Sequence, residues 1–313
     1  MAETDRPNLD PRHASHTPHT HPTSTGSTGS TKGLDDQGYI AREGALGRIA
    51  PDFRPVVATA RDGLLDLFGP RLHSAYLYGS IPRGTARVGR SDLDLLIALR
   101  EPPADADRAA VRALGDALDA RFPQIDGVGT ILLDQATVLS EPERHDLGWF
   151  VACLCTPLLG DDLAEHLPRY RPDSLLTRET NGDLARRLPR WRERITAAGD
   201  SESALRPLVR SLSRHLVRTG FTLVMPRWNG WTSDLEEMAE VFGGYYPARA
   251  AQLRRAAVLG REPVGDAEVL RSYVDDLGPW LAEEYARVHG IKTPRPDEPG
   301  PAPASPGTGP DTP

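Results

Sequence analysis

The chain has 313 residues, a net charge of −7 and 39% hydrophobic residues, which is enough apolar material for a real core and enough length for two ordinary domains. No apolar run approaches the ~20 residues that span a bilayer, and the N-terminus carries no apolar stretch of the secretory kind, so a soluble, cytoplasmic protein is expected. The acidic balance argues against extensive nucleic-acid binding, an argument that only a local arginine patch would escape.

Residues 1–36 are rich in Pro, Ser, Thr, Gly and His and nearly lack large apolar side chains, so they are expected to form a disordered tail. His13, His16, His19 and His21 then sit on a floppy segment rather than in a built metal site. The first helix is expected over Phe53–Phe68, where apolar residues recur at helical spacing and Gly69-Pro70 supplies the stop.

Ser74–Tyr78 has the composition of a strand that runs into Gly79-Ser80. Glycine allows close backbone approach there, and the following N–H groups and the Ser80 hydroxyl are suitable donors to phosphate oxygens. A second strand begins at Ser91, where Asp92-Leu93-Asp94-Leu95 alternates and leads into the apolar run Leu96–Leu99. Successive strand side chains point to opposite faces, so Asp92 and Asp94 share one face. Two carboxylates so close repel each other and suit a hard cation; Mg²⁺ accepts a few carboxylates and completes its shell with water and substrate phosphates. Arg83, Arg87 and Arg90, in the loop between Gly79-Ser80 and the carboxylates, either contact phosphate or are simply solvated.

An amphipathic helix follows over Asp105–Arg121, then a third strand candidate over Gln124–Asp134 that Gly127 and Gly129 weaken. A further helix is expected from Pro142 to Thr156, and Cys153 and Cys155 within it read as small buried hydrophobes, too few for a zinc site. The chain passes into a second, all-helical part near residue 160, with helices from Thr177 to His289. Arg210, Arg214 and Arg218 fall on one helix face, either solvated or turned toward a triphosphate, to which arginine donates bidentately. The acidic cluster Asp234, Glu236, Glu237 and Glu240 lies beside Trp228, Trp231, Tyr245 and Tyr246. It reads as a charged helix start, or as a seat for an amine-bearing acceptor such as an aminocyclitol. Residues 291–313, rich in Pro and Gly, close the chain as a second disordered tail.

Lysine occurs only at Lys32 and Lys292, both in the expected tails, so a P-loop lysine and Schiff-base chemistry are excluded from the folded body.

Gly79-Ser80 followed by Asp92-x-Asp94 resembles the signature of the DNA polymerase beta-like nucleotidyltransferase superfamily, in particular its small bacterial branch of aminoglycoside and minimal nucleotidyltransferases. The stretch through Arg214, Arg218, Gly220, Phe221, Trp231–Leu235 and Tyr245–Pro247 is similar, more loosely, to the helical C-terminal domain of that branch. The resemblance implies an α/β (α+β) architecture: a small mixed-sheet nucleotidyltransferase domain over 37–160, then a helical domain over 161–290. It implies that Gly79, Ser80 and Ser91, with Arg214 and Arg218, bind the nucleotide.

It also implies a third carboxylate on a neighbouring strand, acting as a metal ligand or as general base. Asp126 fits that position better than Asp134, and at about 3.3 Å per residue the two lie roughly 26 Å apart and cannot share one metal. Asp92, Asp94 and Asp126 would hold Mg²⁺, in a two-metal site. The activity implied is transfer of a nucleoside monophosphate, AMP from ATP by family precedent, to a hydroxyl of a small-molecule acceptor with release of pyrophosphate. The alternatives are nucleotidylation of a protein target or a tRNA end, and a non-catalytic nucleotide-binding module.

Overall fold

The computed structural model describes residues 32–295. In chain order its main elements are α1 (Arg54–Phe68), β1 (Leu72–Tyr78), α2 (Ser80–Arg83), β2 (Ser91–Leu99), α3 (Asp105–Arg121), β3 (Ile125–Asp134), α4 (Gln135–Leu139), α5 (Leu147–Trp149) and β4 (Thr156–Gly160). The helical half follows with α6 (Ser174–Asn181), α7 (Leu184–Ala198), α8 (Glu202–Trp228), α9 (Leu235–Tyr245), α10 (Pro247–Arg261), α11 (Ala267–Ser272) and α12 (Gly278–His289).

The four strands form one mixed sheet in the order β3-β2-β1-β4, with β2 parallel to β3 and antiparallel to β1, and β1 antiparallel to β4. The parallel step needs a crossover, which α3 provides. Alternation along the strands decides the two faces. Ala75 and Leu77 of β1 and Leu93, Leu95, Ile97 and Leu99 of β2 pack with Val56, Ala60 and Leu64 of α1 and Val111 and Leu118 of α3. The intervening Tyr76, Leu96 and Ala98 face the other way, against Val151, Cys155 and Leu163. Asp92 and Asp94 belong to this second face, at its N-terminal end, where the apolar cover stops.

The helical half is organised on α8, 27 residues long and so about 40 Å at 1.5 Å per residue. Leu205, Val209, Leu212, Leu216, Val217 and Phe221 of this helix enter a core shared with Trp191, Phe242, Leu253 and Leu277.

Several expectations need correction. The helix expected over Pro142–Thr156 is confined to α5 and a π-helical turn at Phe150–Leu154, and Thr156–Gly160 is a strand. Pro157 is tolerated in it because β4 pairs only with β1, leaving an outer edge where an N–H is not needed. Of the tail residues, 32–36 and 291–295 pack on the body, while the rest of both tails, with the four histidines, lies outside the described residues. Lys32 donates from Nζ to the Trp228 carbonyl at 2.9 Å. Lys292 is buried and pairs with Asp146, so both lysines belong to the folded body. Cys153 and Cys155 are buried free thiols, as expected.

Candidate active site

The site is assembled where β1 ends. Gly79 adopts φ +81° and ψ −151°, a conformation open in practice only to glycine, which turns the chain from β1 into α2. The same glycine makes room for a carboxylate, because a Cβ there would lie 2.3 Å from Asp94 Oδ2. Gly79→Ala is therefore expected to cost about 2 kcal/mol in a urea melt. It should lower kcat about 100-fold by displacing Asp94, since misplacement by about 1 Å carries a penalty of that size.

Asp94 stands opposite Tyr78 in the β1–β2 ladder, and Asp92 lies two residues toward the strand start on the same face. Burial, and then the charge of Asp92, lift Asp94's pKa to about 6. Burial also raises that of Asp92, with Arg210 and Arg214 pulling it back down and Asp126 adding to the rise. A half-buried carboxylate pair that resists carrying two negative charges has the hard-oxygen donor set and the electrostatic need that suit Mg²⁺.

Facing the pair is α8. Arg206, Arg210, Arg214 and Arg218 recur every fourth residue and line, with Asp92, Pro207, Ser211 and Pro263, a cavity of about 480 Å³. Arg210 Nη2 comes to 3.9 Å from Asp92 Oδ2. Arg214 anchors Nε on the Gly260 carbonyl at 2.8 Å, which leaves its terminal nitrogens for the cavity. Burial first, then Arg210 and Arg218, lower Arg214's pKa to about 10; that of Arg218 is lowered too, by burial and then by Arg83. This arginine face borders the cavity that Asp92 also lines, and Arg206 adds a fourth rung. Its spacing, four residues before Arg210, was the available signal.

The α2 helix is pinned to the helical half. Arg83 Nη1 donates to Ser233 Oγ at 2.5 Å and lies 3.4 Å from Glu43 Oε2, while Trp231 Nε1 donates to Glu43 Oε1 at 2.6 Å. Glu43 and Ser233 carry no sequence signal, because their roles exist only once distant segments meet. Arg87 and Arg90 are exposed. The Ser91 hydroxyl accepts from the Arg87 N–H at 2.9 Å, closing the loop that leads into β2.

The third carboxylate stands apart from the pair. Asp94 lies in register with Gly129, and the β2–β3 register slips between Ser91 and Leu93. Parallel neighbours in register share a face, so the β3 positions beside the carboxylates are Gly127 and Gly129. A Cβ at Gly129 would fall 2.6 Å from Asp94 Oδ1, and one at Gly127 3.9 Å from Asp92 Oδ1. Asp126 is exposed beside this slip. Among the described residues no group of three or more His, Cys, Asp or Glu is placed to hold one metal, so Asp126 is not gathered with Asp92 and Asp94 as a ligand. Asp134 caps α4 through the Thr137 N–H at 2.9 Å.

The acidic cluster is spent on local structure. Asp234 accepts from the N–H groups of Glu236 and Glu237 at the start of α9 and pairs with Arg261, Glu236 pairs with Arg261, and Glu240 pairs with Arg254.

A mixed sheet that ends in a Gly-Ser turn beside two carboxylates on one strand face is an arrangement suited to nucleotidyl transfer. Residues 57–135 match the family model for the nucleotidyltransferase domain, so the chain carries that domain and is a nucleotidyltransferase enzyme. Among solved structures it is similar to a spectinomycin adenyltransferase from Enterococcus faecialis with ATP and spectinomycin. That similarity is at 15% identity and a TM-score of 0.45, over 74% of this chain and 98% of the other. No curated protein matches the chain. Among the described residues no helix is long and apolar enough to cross a membrane.

Proposed function

We propose that the enzyme transfers a nucleoside monophosphate, AMP from ATP, to a hydroxyl of a small-molecule acceptor and releases pyrophosphate. The observation that supports this reading is that Asp92 lines one cavity with Arg210, Arg214 and Arg218, while Asp94, on the same strand face, is close enough for its charge to act on Arg214 and Arg218. Carboxylates alone would repel a triphosphate, and arginines alone would bind one without activating it.

Asp92 and Asp94 would hold Mg²⁺, which supplies charge neutralisation at the phosphoryl oxygens when bound. Gly79 and Ser80 receive the terminal phosphates against the backbone at the end of β1. Arg214 and Arg218 stabilise the negative charge that builds on the leaving pyrophosphate, from fixed positions in a partly dry cleft. The acceptor oxygen forms a bond to the α-phosphorus as the bond from that phosphorus to the bridging oxygen breaks, and the hydroxyl proton passes to a base. Asp126 takes that proton: it is the β3 carboxylate whose charge is felt at Asp92, and Gly127 and Gly129 offer no side chain to do so.

Asp126→Asn should lower kcat about 100-fold, within the range of general-base removal, with KM for ATP little changed. A rate within threefold of the parent would exclude Asp126 as the base. The reaction class is tested with α-labelled ATP and a panel of hydroxyl-bearing small molecules: label should enter the acceptor and pyrophosphate should appear in equal amount. Hydrolysis without transfer to any acceptor, in the panel or in a cell extract, would refute the proposed activity.

A further inference from the structure

The arginine face is longer than a triphosphate needs. From Arg206 to Arg218 it runs twelve residues of α8, about 18 Å at 1.5 Å per residue, and all four guanidinium groups line the same cavity. Three linked phosphoryl groups seated at Gly79 and Ser80 engage only the inner end, where Arg218 is electrostatically coupled to Arg83 and Asp94. The outer end holds Arg206, Arg210, Ser211, Pro207 and Pro263, with Asp92 the single acid in the lining.

These arginines are also left without a close carboxylate partner in a chain that has acids to spare, 44 Asp and Glu against 37 Lys and Arg. Elsewhere on the helical half, several guanidinium groups find carboxylates: Arg254 with Glu240, Arg261 with Asp234 and Glu236, Arg249 with Asp276, Arg287 with Glu284. Among the described residues Arg206, Arg214 and Arg218 lie within 4 Å of no carboxylate, Arg210 reaches only Asp92 at 3.9 Å, and the buried Arg210 Nε has no hydrogen-bond partner. Stacked guanidiniums repel unless water or an anion screens them, and Arg210, with a buried unpartnered Nε, is the member of the outer pair least served by water. Of the acids that would suit a polycationic acceptor, Asp234, Glu236 and Glu240 are already paired with arginine and Glu237 accepts from the Thr232 hydroxyl.

We propose that the outer end of the cleft is an anion subsite for the acceptor, and that the acceptor is a phosphorylated small molecule, a phosphate ester that also bears the free hydroxyl. The proposal rests on the nucleotidyl-transfer reading above and narrows its substrate class. Arg206 and Arg210 grip the ester phosphate and Ser211 donates to it, so the acceptor hydroxyl is held on the Asp92 side of the cavity.

The test is calorimetry on the full chain saturated with Mg²⁺ and a non-hydrolysable α,β-methylene analogue of ATP. The probes are glucose 6-phosphate and inorganic phosphate, with glucose and kanamycin as neutral and polycationic controls. Both phosphate probes should bind the analogue-loaded protein, more weakly as salt rises, and neither control should bind. Arg206→Gln should weaken glucose 6-phosphate about 10-fold and the analogue by less. Loss of both phosphate probes once the analogue is bound would show a single anion site and overturn the proposal, as would binding of kanamycin or equal weakening of both ligands by Arg206→Gln. A 5′-phosphorylated oligonucleotide that outcompetes both probes would overturn it in favour of a nucleic-acid acceptor. Failure of the analogue itself to bind counts instead against the nucleotidyl-transfer reading.

Discussion

Asp94→Asn should yield an enzyme that is inactive and more stable than its parent. The activity loss follows from removing half of the cation platform: a carboxylate oxygen facing phosphate is replaced by a neutral amide, and a loss of about 10³-fold in kcat corresponds to about 4 kcal/mol of transition-state stabilisation. The stability gain follows from the raised pKa. An unfolded Asp loses its proton near 3.8, whereas burial and the charge of Asp92 hold the folded group at about 6. Between those values the folded chain keeps a proton that the unfolded chain has lost, so stability falls as pH rises through the window, and above pH 6 the whole deficit is present. At 1.36 kcal/mol per pH unit that deficit is about 3 kcal/mol.

Thermal melts without metal should therefore show Asp94→Asn about 5 °C above the parent at pH 8 and no higher at pH 3.5. Added Mg²⁺ should raise the parent's Tm and leave the variant's unchanged, since a ligand stabilises only the state it binds. At limiting Mg²⁺ the parent's activity should fall as pH drops below about 6, where protonated Asp94 no longer competes for the cation. A variant that is inactive because it is unfolded, or one that keeps its activity, would each contradict this account.

The second large effect is expected from Arg214→Gln combined with Arg218→Gln. Cationic groups that meet transition-state charge on a transferring phosphoryl group contribute 10³-fold or more where they have been removed, so kcat should fall about 10³-fold while KM for ATP rises. Removing two crowded charges also relieves repulsion with Arg83 and Arg210, so the double variant should melt no lower than the parent in low salt. Arg214→Lys should not restore the rate, because a lysine cannot bond the Gly260 carbonyl through Nε and still present a planar fork to phosphate. A double variant with parental kcat would show that Arg214 and Arg218 take no part in the transfer.

What could be read from the sequence was the chemistry carried by local pattern. Alternation places Asp92 and Asp94 on one face whatever surrounds them, Gly79 marks the turn, and the four-residue spacing of the arginines defines a helix face without any tertiary knowledge. Misreadings arose where a distant segment decides the outcome. The neighbour of Asp94 on β3 depends on a register slip beside Asp126, and no pattern within Ile125–Asp134 reveals it. The Asp234–Glu240 cluster reads as a charged helix start or as a seat for an amine, and pairing with Arg254 and Arg261 of α10 favours the former. Pro157 suggested a helix boundary and instead sits on a sheet edge.

The nearly exclusive use of arginine has a chemical consequence for the protein's own integrity. A cleft that handles an activated phosphoryl group also exposes its walls to attack, and a lysine desolvated among like charges releases its proton near neutral pH to become a nucleophile. Arg214 in that environment still titrates only at about 10, so it remains a protonated, inert donor. The two ε-amines of the chain are engaged elsewhere, Lys32 on the Trp228 carbonyl and Lys292 on Asp146. In the proposed reaction the walls of this site would polarise the nucleotide without becoming its acceptor, leaving incoming hydroxyl groups unopposed by any side-chain amine of the enzyme.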